Sequence, residues 1–217
     1  MKYLFYLLFF FSARVDVFSQ SSLDLDKIKS SIADSNSYTL LVEQFNTNPS
    51  AINVENGAML YYGKLFSKDF KPYKINFDEI EFSKLVSKRK YKQAIPKGED
   101  LIKNDPINLE ILSELSVCYK KAGLTDKANL TEIKVGLLMS SILPYGSGLS
   151  KENTLKVISV GDEYAMMGML GIVGVTRNSL ISAKSILDTW EAKNKSGKRI
   201  GFFVEVLNNL QALRSDK

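Results

Sequence analysis

The chain contains no histidine and a single cysteine, Cys118. Without histidine it cannot form a Ser-His-Asp or Cys-His catalytic set, and it lacks the ligand of the usual zinc and haem sites. One cysteine excludes an internal disulfide and a thiolate cluster. Cys118 falls on the apolar face formed by Leu112, Leu115 and Tyr119, and we expect it to be buried there. We therefore predict no enzyme, no cofactor and no metal.

Strong charge of one sign is also missing. The chain has 29 basic and 24 acidic residues, and its formal net charge is +5. The clearest basic cluster runs from Lys84 to Lys92 and lacks the interleaved aromatic residues of a single-strand binder. This pattern indicates the solvated face of a helix and its turn, and we predict no nucleic-acid partner.

The amino terminus has the composition of an export signal. Lys2 precedes an unbroken apolar run from Tyr3 to Phe11, and Ser19 provides a small residue at a cut before Gln20. The run is too short to span a bilayer, which needs about 20 residues. We predict a signal peptide at residues 1–19, a secreted or periplasmic location, and no transmembrane anchor after signal removal. The alternative is a buried helix or strand at the amino terminus.

Residues 20–143 show the periodicity of amphipathic helices, with apolar residues at steps of three and four. Asn48-Pro49, Lys71-Pro72, Asp105-Pro106 and Gly123 punctuate the series. The helices predicted from these patterns cover 23–32, 38–45, 52–66, 80–86, 91–102, 109–122 and 128–143. We predict that this segment forms a helical domain.

Two small residues have the spacing of a helical repeat. Ala94 and Ala128 lie 34 residues apart, and Pro106 follows Ala94 by 12 residues. Residues 82–143 thus resemble degenerate tetratricopeptide repeats, which implies packed helix hairpins that present a surface to partners. Gly98 departs from the repeat, which usually has a bulkier apolar residue there. The alternative is an ordinary helical bundle.

The pattern changes after residue 143. Residues 155–160 alternate and are rich in β-branched residues, which predicts a strand, and Asp162 can cap a helix over 163–172. We also predict strands over 180–190 and 200–206. The whole chain is then an α+β protein, in which helical hairpins resembling tetratricopeptide repeats precede a small, mostly antiparallel sheet with one packed helix. The sheet and its helix form the second domain, residues 144–217.

Several short segments occur in the order found in one bacterial family. They are Tyr61-Tyr62-Gly63, Pro72-Tyr73, Asp105-Pro106-Ile107-Asn108-Leu109, Gly148-Leu149-Ser150-Lys151-Glu152, Val157-Ile158-Ser159-Val160 and Asp162-Glu163-Tyr164. Over about residues 55–207 the chain resembles a family of exported Gram-negative proteins catalogued only as a domain of unknown function. Its members usually carry aspartate where this chain has Ser147. The resemblance implies export and a helix-repeat-plus-sheet architecture, and no activity.

The candidate binding residues fall into an aromatic and an acidic group. Tyrosine offers a large contact area with a polar tip and is common at interfaces. Adjacent carboxylates can serve acid and base roles, although at a helix start they more often cap the helix and complement its dipole. The tyrosines can equally pack one helix hairpin against the next. The candidates are Tyr61, Tyr62, Phe70, Tyr73, Asp162, Glu163 and Tyr164.

These features predict an exported, non-catalytic module of the bacterial cell envelope that binds another protein or a peptide. Two alternatives stay open. A carboxylate-based hydrolase or carbohydrate-active enzyme would need Asp162 or Glu163 to converge in a cleft with another acid, such as Glu55 or Glu205. A purely structural envelope protein would need no site at all.

Overall fold

The structure is a computed structural model that describes residues 21–67, 70, 76–182 and 185–207. The predicted signal peptide (1–19) and the candidate Tyr73 lie outside the described residues. None of the helices in the described part of the chain has both the length and the apolar character that crossing a membrane requires.

Eight α-helices and four strands make up the described chain, with short 3-10 turns between some of them. The helices are α1 (Leu25–Ser31), α2 (Ser35–Thr47), α3 (Val54–Gly63), α4 (Phe77–Ser87), α5 (Tyr91–Asn104), α6 (Leu109–Ala122), α7 (Thr125–Ile142) and α8 (Val160–Leu170). The strands are β1 (Leu155–Val157), β2 (Val173–Ile181), β3 (Ser185–Lys193) and β4 (Arg199–Leu207). This architecture confirms the predicted α+β class.

Helices α4 to α7 form a series in which each helix packs against the next. Local residues set their ends. Asn108 accepts a hydrogen bond from the Ile111 N–H and caps the start of α6, and Gly123 ends α6 in the left-handed conformation at a φ of 77°. Ala94 and Ala128 are both buried, as close helix packing requires. The likeness to tetratricopeptide repeats stays a prediction.

Gly98 has a packing role in this series. A β-carbon at Gly98 would lie 2.7 Å from Phe82 Cε2 and 2.8 Å from Leu115 Cδ1. The large ring of Phe82 therefore occupies the space that a bulkier residue at position 98 would otherwise fill. This contact explains why Gly98 departs from the repeat pattern.

The sheet has the strand order β1-β4-β3-β2. β1 pairs with β4 in parallel, and the other two pairings are antiparallel. The prediction of three strands is wrong by one, because residues 180–190 include the end of β2 and the start of β3. β2 is an edge strand along which Val173, Val175, Leu180 and Ile181 are all exposed.

One apolar cluster joins the two segments that the sequence suggested. It includes Leu60 and Leu138 from the helices, Val157 from β1, Met166 from α8 and Phe202 from β4. A second cluster lies among α4, α5, α6 and the start of α7. Residues 20–143 and 144–207 therefore share one core in the described chain.

The loop between α7 and β1 is held against the sheet. Gly148 has a φ of 76°, and a β-carbon there would overlap the ring of Phe202. Its carbonyl oxygen accepts a hydrogen bond of 2.8 Å from the Phe203 N–H. The glycines of this loop therefore serve close packing.

The basic cluster lies at the turn between α4 and α5. Lys84, Lys88, Arg89, Lys90 and Lys92 are all exposed. This placement confirms that the cluster is a solvated helix face and turn.

Candidate functional site

A cleft of about 770 Å³ lies between the helices and the start of α8. Its walls come from α2, the end of α3, the starts of α4 and α6, the connection between α5 and α6, and residues 159–162. Phe70, Val42 and Ile107 give it apolar surface, while Asn76 and Asn108 add amide groups. This combination of apolar walls and a few polar groups is typical of ligand sites.

Carboxylates dominate the charge of the cleft. Glu79, Asp105, Glu110 and Asp162 line it, and Lys64 is the only basic residue among its described lining residues. Lys64 Nζ lies 2.5 Å from Asp105 Oδ2, so its charge is already paired. The cleft therefore carries excess negative charge.

Glu110 is the cleft carboxylate with the fewest hydrogen-bonding and ion-pair partners. No described residue donates a hydrogen bond to its side chain or pairs with it, whereas Glu79 accepts one of 3.2 Å from Asn108 Nδ2. Burial, and then the nearby Glu114 and Asp162, raises the pKa of Glu110 to about 7. Burial and Asp105 also raise the pKa of Glu79. Four carboxylates of the cleft thus share the single described cation Lys64.

Asp162 lines the cleft at the start of α8, and Tyr61 of α3 holds its carboxylate. Its Oδ2 accepts a hydrogen bond of 2.9 Å from Tyr61 Oη, and Tyr61 Oη accepts one of 3.1 Å from the Ile158 N–H. Burial raises the pKa of Asp162, although Lys64 and the Tyr61 hydroxyl oppose the shift. Tyr61 therefore orients the Asp162 carboxylate and links α3 to the start of α8.

Tyr61 and Tyr62 are fully buried, so the interpretation that they offer a contact surface is wrong. Tyr62 Oη donates a hydrogen bond of 3.0 Å to the Lys156 carbonyl oxygen. The two rings meet edge to face, with centroids 5.0 Å apart. Both hydroxyls bond to the segment 156–162, whereas the packing alternative expected the tyrosines to join two helix hairpins.

Asp162 does not cap α8, contrary to the interpretation of the sequence. Ser159 is the N-cap, and its Oγ accepts a hydrogen bond of 3.0 Å from the Asp162 N–H. The helix consequently begins at Val160, two residues before the predicted cap. With the capping position occupied by serine, the Asp162 side chain is free to face α3 and the cleft.

Glu163 and Tyr164 face the sheet instead of the cleft. Glu163 Oε1 accepts a hydrogen bond of 2.6 Å from Trp190 Nε1, and the Tyr164 ring meets the Trp190 ring edge to face at 5.7 Å. Tyr164 is half exposed, and Arg177 Cζ lies 6.0 Å from its ring centroid and 5.6 Å from that of Trp190. The adjacent acids Asp162 and Glu163 thus point to opposite sides of α8.

The cleft brings together only part of the predicted set. Phe70 and Asp162 line it, and Tyr61 supports it from behind. The acids suggested as catalytic partners are not among its lining residues, since Glu55 pairs with Lys27 at the surface and Glu205 lies on β4. Sequence reasoning missed Lys64, Glu79 and Glu110, because they come from separate segments with no motif linking them.

Metal-ligand geometry does not occur within the described ranges. No three side chains of the cysteine, aspartate and glutamate types converge there as ligands of a metal ion.

The family of the chain follows from its sequence. A model of a domain of unknown function matches residues 26–214, which is most of the chain. The chain therefore belongs to this class, and the predicted resemblance is confirmed to that extent. The family is Domain of unknown function (DUF4919). No curated protein and no solved structure matches the chain.

Proposed function

We propose that the chain is an exported, non-catalytic module of the bacterial cell envelope that binds a protein or peptide segment in the cleft. The recognised feature is a basic side chain of the partner. The observation that carries this proposal is the Glu110 carboxylate, which lies in the cleft beside Glu79 and Asp162 without a cation. A lysine or arginine side chain would neutralise this charge, and its aliphatic stem would fit the apolar walls.

The binding step can be tested with short peptides. We expect an amidated peptide with two lysines to bind, and the same peptide with acetylated lysines to bind at least about 10-fold more weakly, since acetylation removes the charge. Glu110→Gln should weaken binding of the lysine peptide by roughly 10–100-fold, the range of a charge-assisted hydrogen bond. Isothermal titration calorimetry measures both affinities.

Glu114→Gln is the matched control. Glu114 lies one turn further along α6, outside the cleft lining, and accepts a hydrogen bond of 2.8 Å from Ser83. Because the charge of Glu114 raises the pKa of Glu110, its replacement should leave Glu110 more fully ionised, and the affinity should not fall. Equal affinity for the lysine and acetyl-lysine peptides, or equal losses in the Glu110 and Glu114 variants, would contradict a cationic ligand in this cleft.

Export is tested separately by the mass of the mature protein. When the full chain is produced in a Gram-negative cell, we expect the periplasmic or secreted fraction to contain a protein that begins at Gln20. Intact-mass spectrometry of each fraction measures this cut. Recovery of the uncut chain in the cytoplasm alone would remove the export part of the proposal and leave the cleft untouched.

A second candidate is hydrolysis, favoured by the pKa of about 7 of Glu110 beside Asp162. A carboxyl group with such a pKa can act as a general acid or base near neutral pH. The peptide experiment separates the two functions. A peptide recovered intact after long incubation supports the binding module, whereas cleavage that disappears in Glu110→Gln supports the hydrolase.

A further inference from the structure

A buried ionic cluster lies on the other side of α8, between the helix and the sheet. Arg177 on β2 places Nη2 2.5 Å from Asp188 Oδ2 on β3 and 3.4 Å from Glu163 Oε2 on α8. Both carboxylate side chains are fully buried. One guanidinium group therefore serves two buried carboxylates from two different elements.

The hydrogen bonding of this cluster is incomplete. Glu163 Oε2 and Arg177 Nε are the two buried side-chain polar atoms in the described part of the chain that have no hydrogen-bond partner. An ionised Glu163 carboxylate can only accept hydrogen bonds, so its unpartnered Oε2 would carry a buried negative charge beside that of Asp188. A proton on one of the two carboxyl groups would remove the repulsion between these charges.

The net charge of the cluster also indicates one bound proton. Two carboxylates and one guanidinium group leave a net charge of −1 in a buried site, and one proton makes the cluster neutral. Burial raises the pKa of Glu163 to about 7. Although burial opposes ionisation of Asp188, hydrogen bonds from Arg177 and Ser179 keep its pKa below the usual value. The proton therefore resides on Glu163.

The first turn of α8 connects this cluster to the cleft. Asp162 and Glu163 are consecutive residues of that turn, and they are held from opposite sides by Tyr61 and Trp190. Gly161 abuts the Glu110 carboxylate so closely that a β-carbon would collide with it. A displacement of Glu163 consequently moves residues that form one wall of the cleft.

We propose that Glu163 and Asp188 share one proton, which stabilises the packing of α8 against β2 and β3. Loss of this proton weakens that packing and so loosens the first turn of α8, which forms one wall of the cleft. The shared proton is inferred from the buried cluster alone, and only its effect on ligand binding depends on the proposed function. The charged and titratable groups around Glu163 are Arg177 from β2, Asp188 from β3 and Tyr164 from α8, with Glu110 from α6 on the cleft side.

The chain supplies its own reporter of this proton. Trp190 is the only tryptophan, and its indole N–H donates directly to Glu163. The chain has no histidine, so a transition near neutral pH cannot come from imidazole. We expect the indole N–H resonance of the folded full chain to move between pH 5 and 9 with a midpoint near 7.

Two variants define the origin of the transition. Glu163→Gln keeps a carbonyl acceptor for the indole and an amide donor for Asp188, and it should abolish the transition. Glu110→Gln removes the other carboxyl with a pKa of about 7 and should preserve it. An indole resonance that does not move, or a transition that persists in Glu163→Gln, would overturn the shared proton.

The link to the cleft has its own readout. The Ile158 N–H bonds to Tyr61, whose hydroxyl also holds Asp162, so it reports on the wall without any ligand. In the Glu110→Gln background its amide resonance should titrate with the same midpoint as the indole. A constant Ile158 resonance beside a titrating indole would overturn the link. Because neither measurement uses a peptide, failure of the proposed binding function remains distinguishable from failure of this inference.

Discussion

Replacing Tyr61 by phenylalanine lowers the free energy of unfolding by about 2–4 kcal/mol, because one lost hydroxyl leaves two buried groups without partners. Asp162 Oδ2 loses its donor, and the Ile158 N–H loses its acceptor. The side chain is fully buried, so water cannot replace the hydroxyl without repacking. Urea unfolding followed by circular dichroism at pH 7 measures the change.

Tyr62→Phe is the matched control for this prediction. Tyr62 is also fully buried, but its hydroxyl makes a single hydrogen bond, to the Lys156 carbonyl oxygen. The expected loss is about 1 kcal/mol. If both variants lost the same stability, the hydrogen-bond link through Tyr61 would contribute nothing beyond ring packing, and Asp162 would need another explanation for its burial.

Arg177→Met lowers the free energy of unfolding by about 3–5 kcal/mol above pH 7, the range for breaking a buried ion pair from one side. Methionine retains much of the apolar packing between Tyr164 and Trp190, so the loss reports mainly on charge. Glu163 and Asp188 then remain buried without a cation. Denaturant unfolding at pH 5 and pH 8 measures the change.

The pH dependence of this loss follows from linkage. Without Arg177 the folded state binds protons on its two carboxyls more tightly than the unfolded chain does, so stability falls as pH rises through that window. The deficit of Arg177→Met should therefore be smaller at pH 5 than at pH 8. Lys27→Met, which breaks the exposed pair with Glu55, should cost less than about 1 kcal/mol. A deficit independent of pH would refute the ionic origin.

The sequence predicts those helices and strands that have a regular pattern of apolar residues or residues typical of an element's end. Helices α5 and α6 follow this rule, since Asp105-Pro106 and Gly123 mark their ends. Strand β4 was predicted at 200–206 and runs over Arg199–Leu207, because its residues alternate in burial. Strand β2 was missed, since its edge position leaves nearly all its residues exposed and no alternation appears.

The cleft could not be predicted in the same way. Its carboxylates become neighbours only when α4, α6 and α8 pack, and no spacing in the chain links Glu79 to Glu110 or Asp162. One local signal was available. Ser159 is a favourable N-cap residue three positions before Asp162, and it places the helix start correctly.

The two tyrosines of α3 also govern the order in which the chain can finish folding. Tyr61 and Asp162 are 101 residues apart, and Tyr62 bonds to a residue 94 positions later. Contacts over such distances form late, because the intervening chain must first be available and ordered. During synthesis the two hydroxyls of α3 therefore remain hydrogen-bonded to water until β1 and α8 emerge.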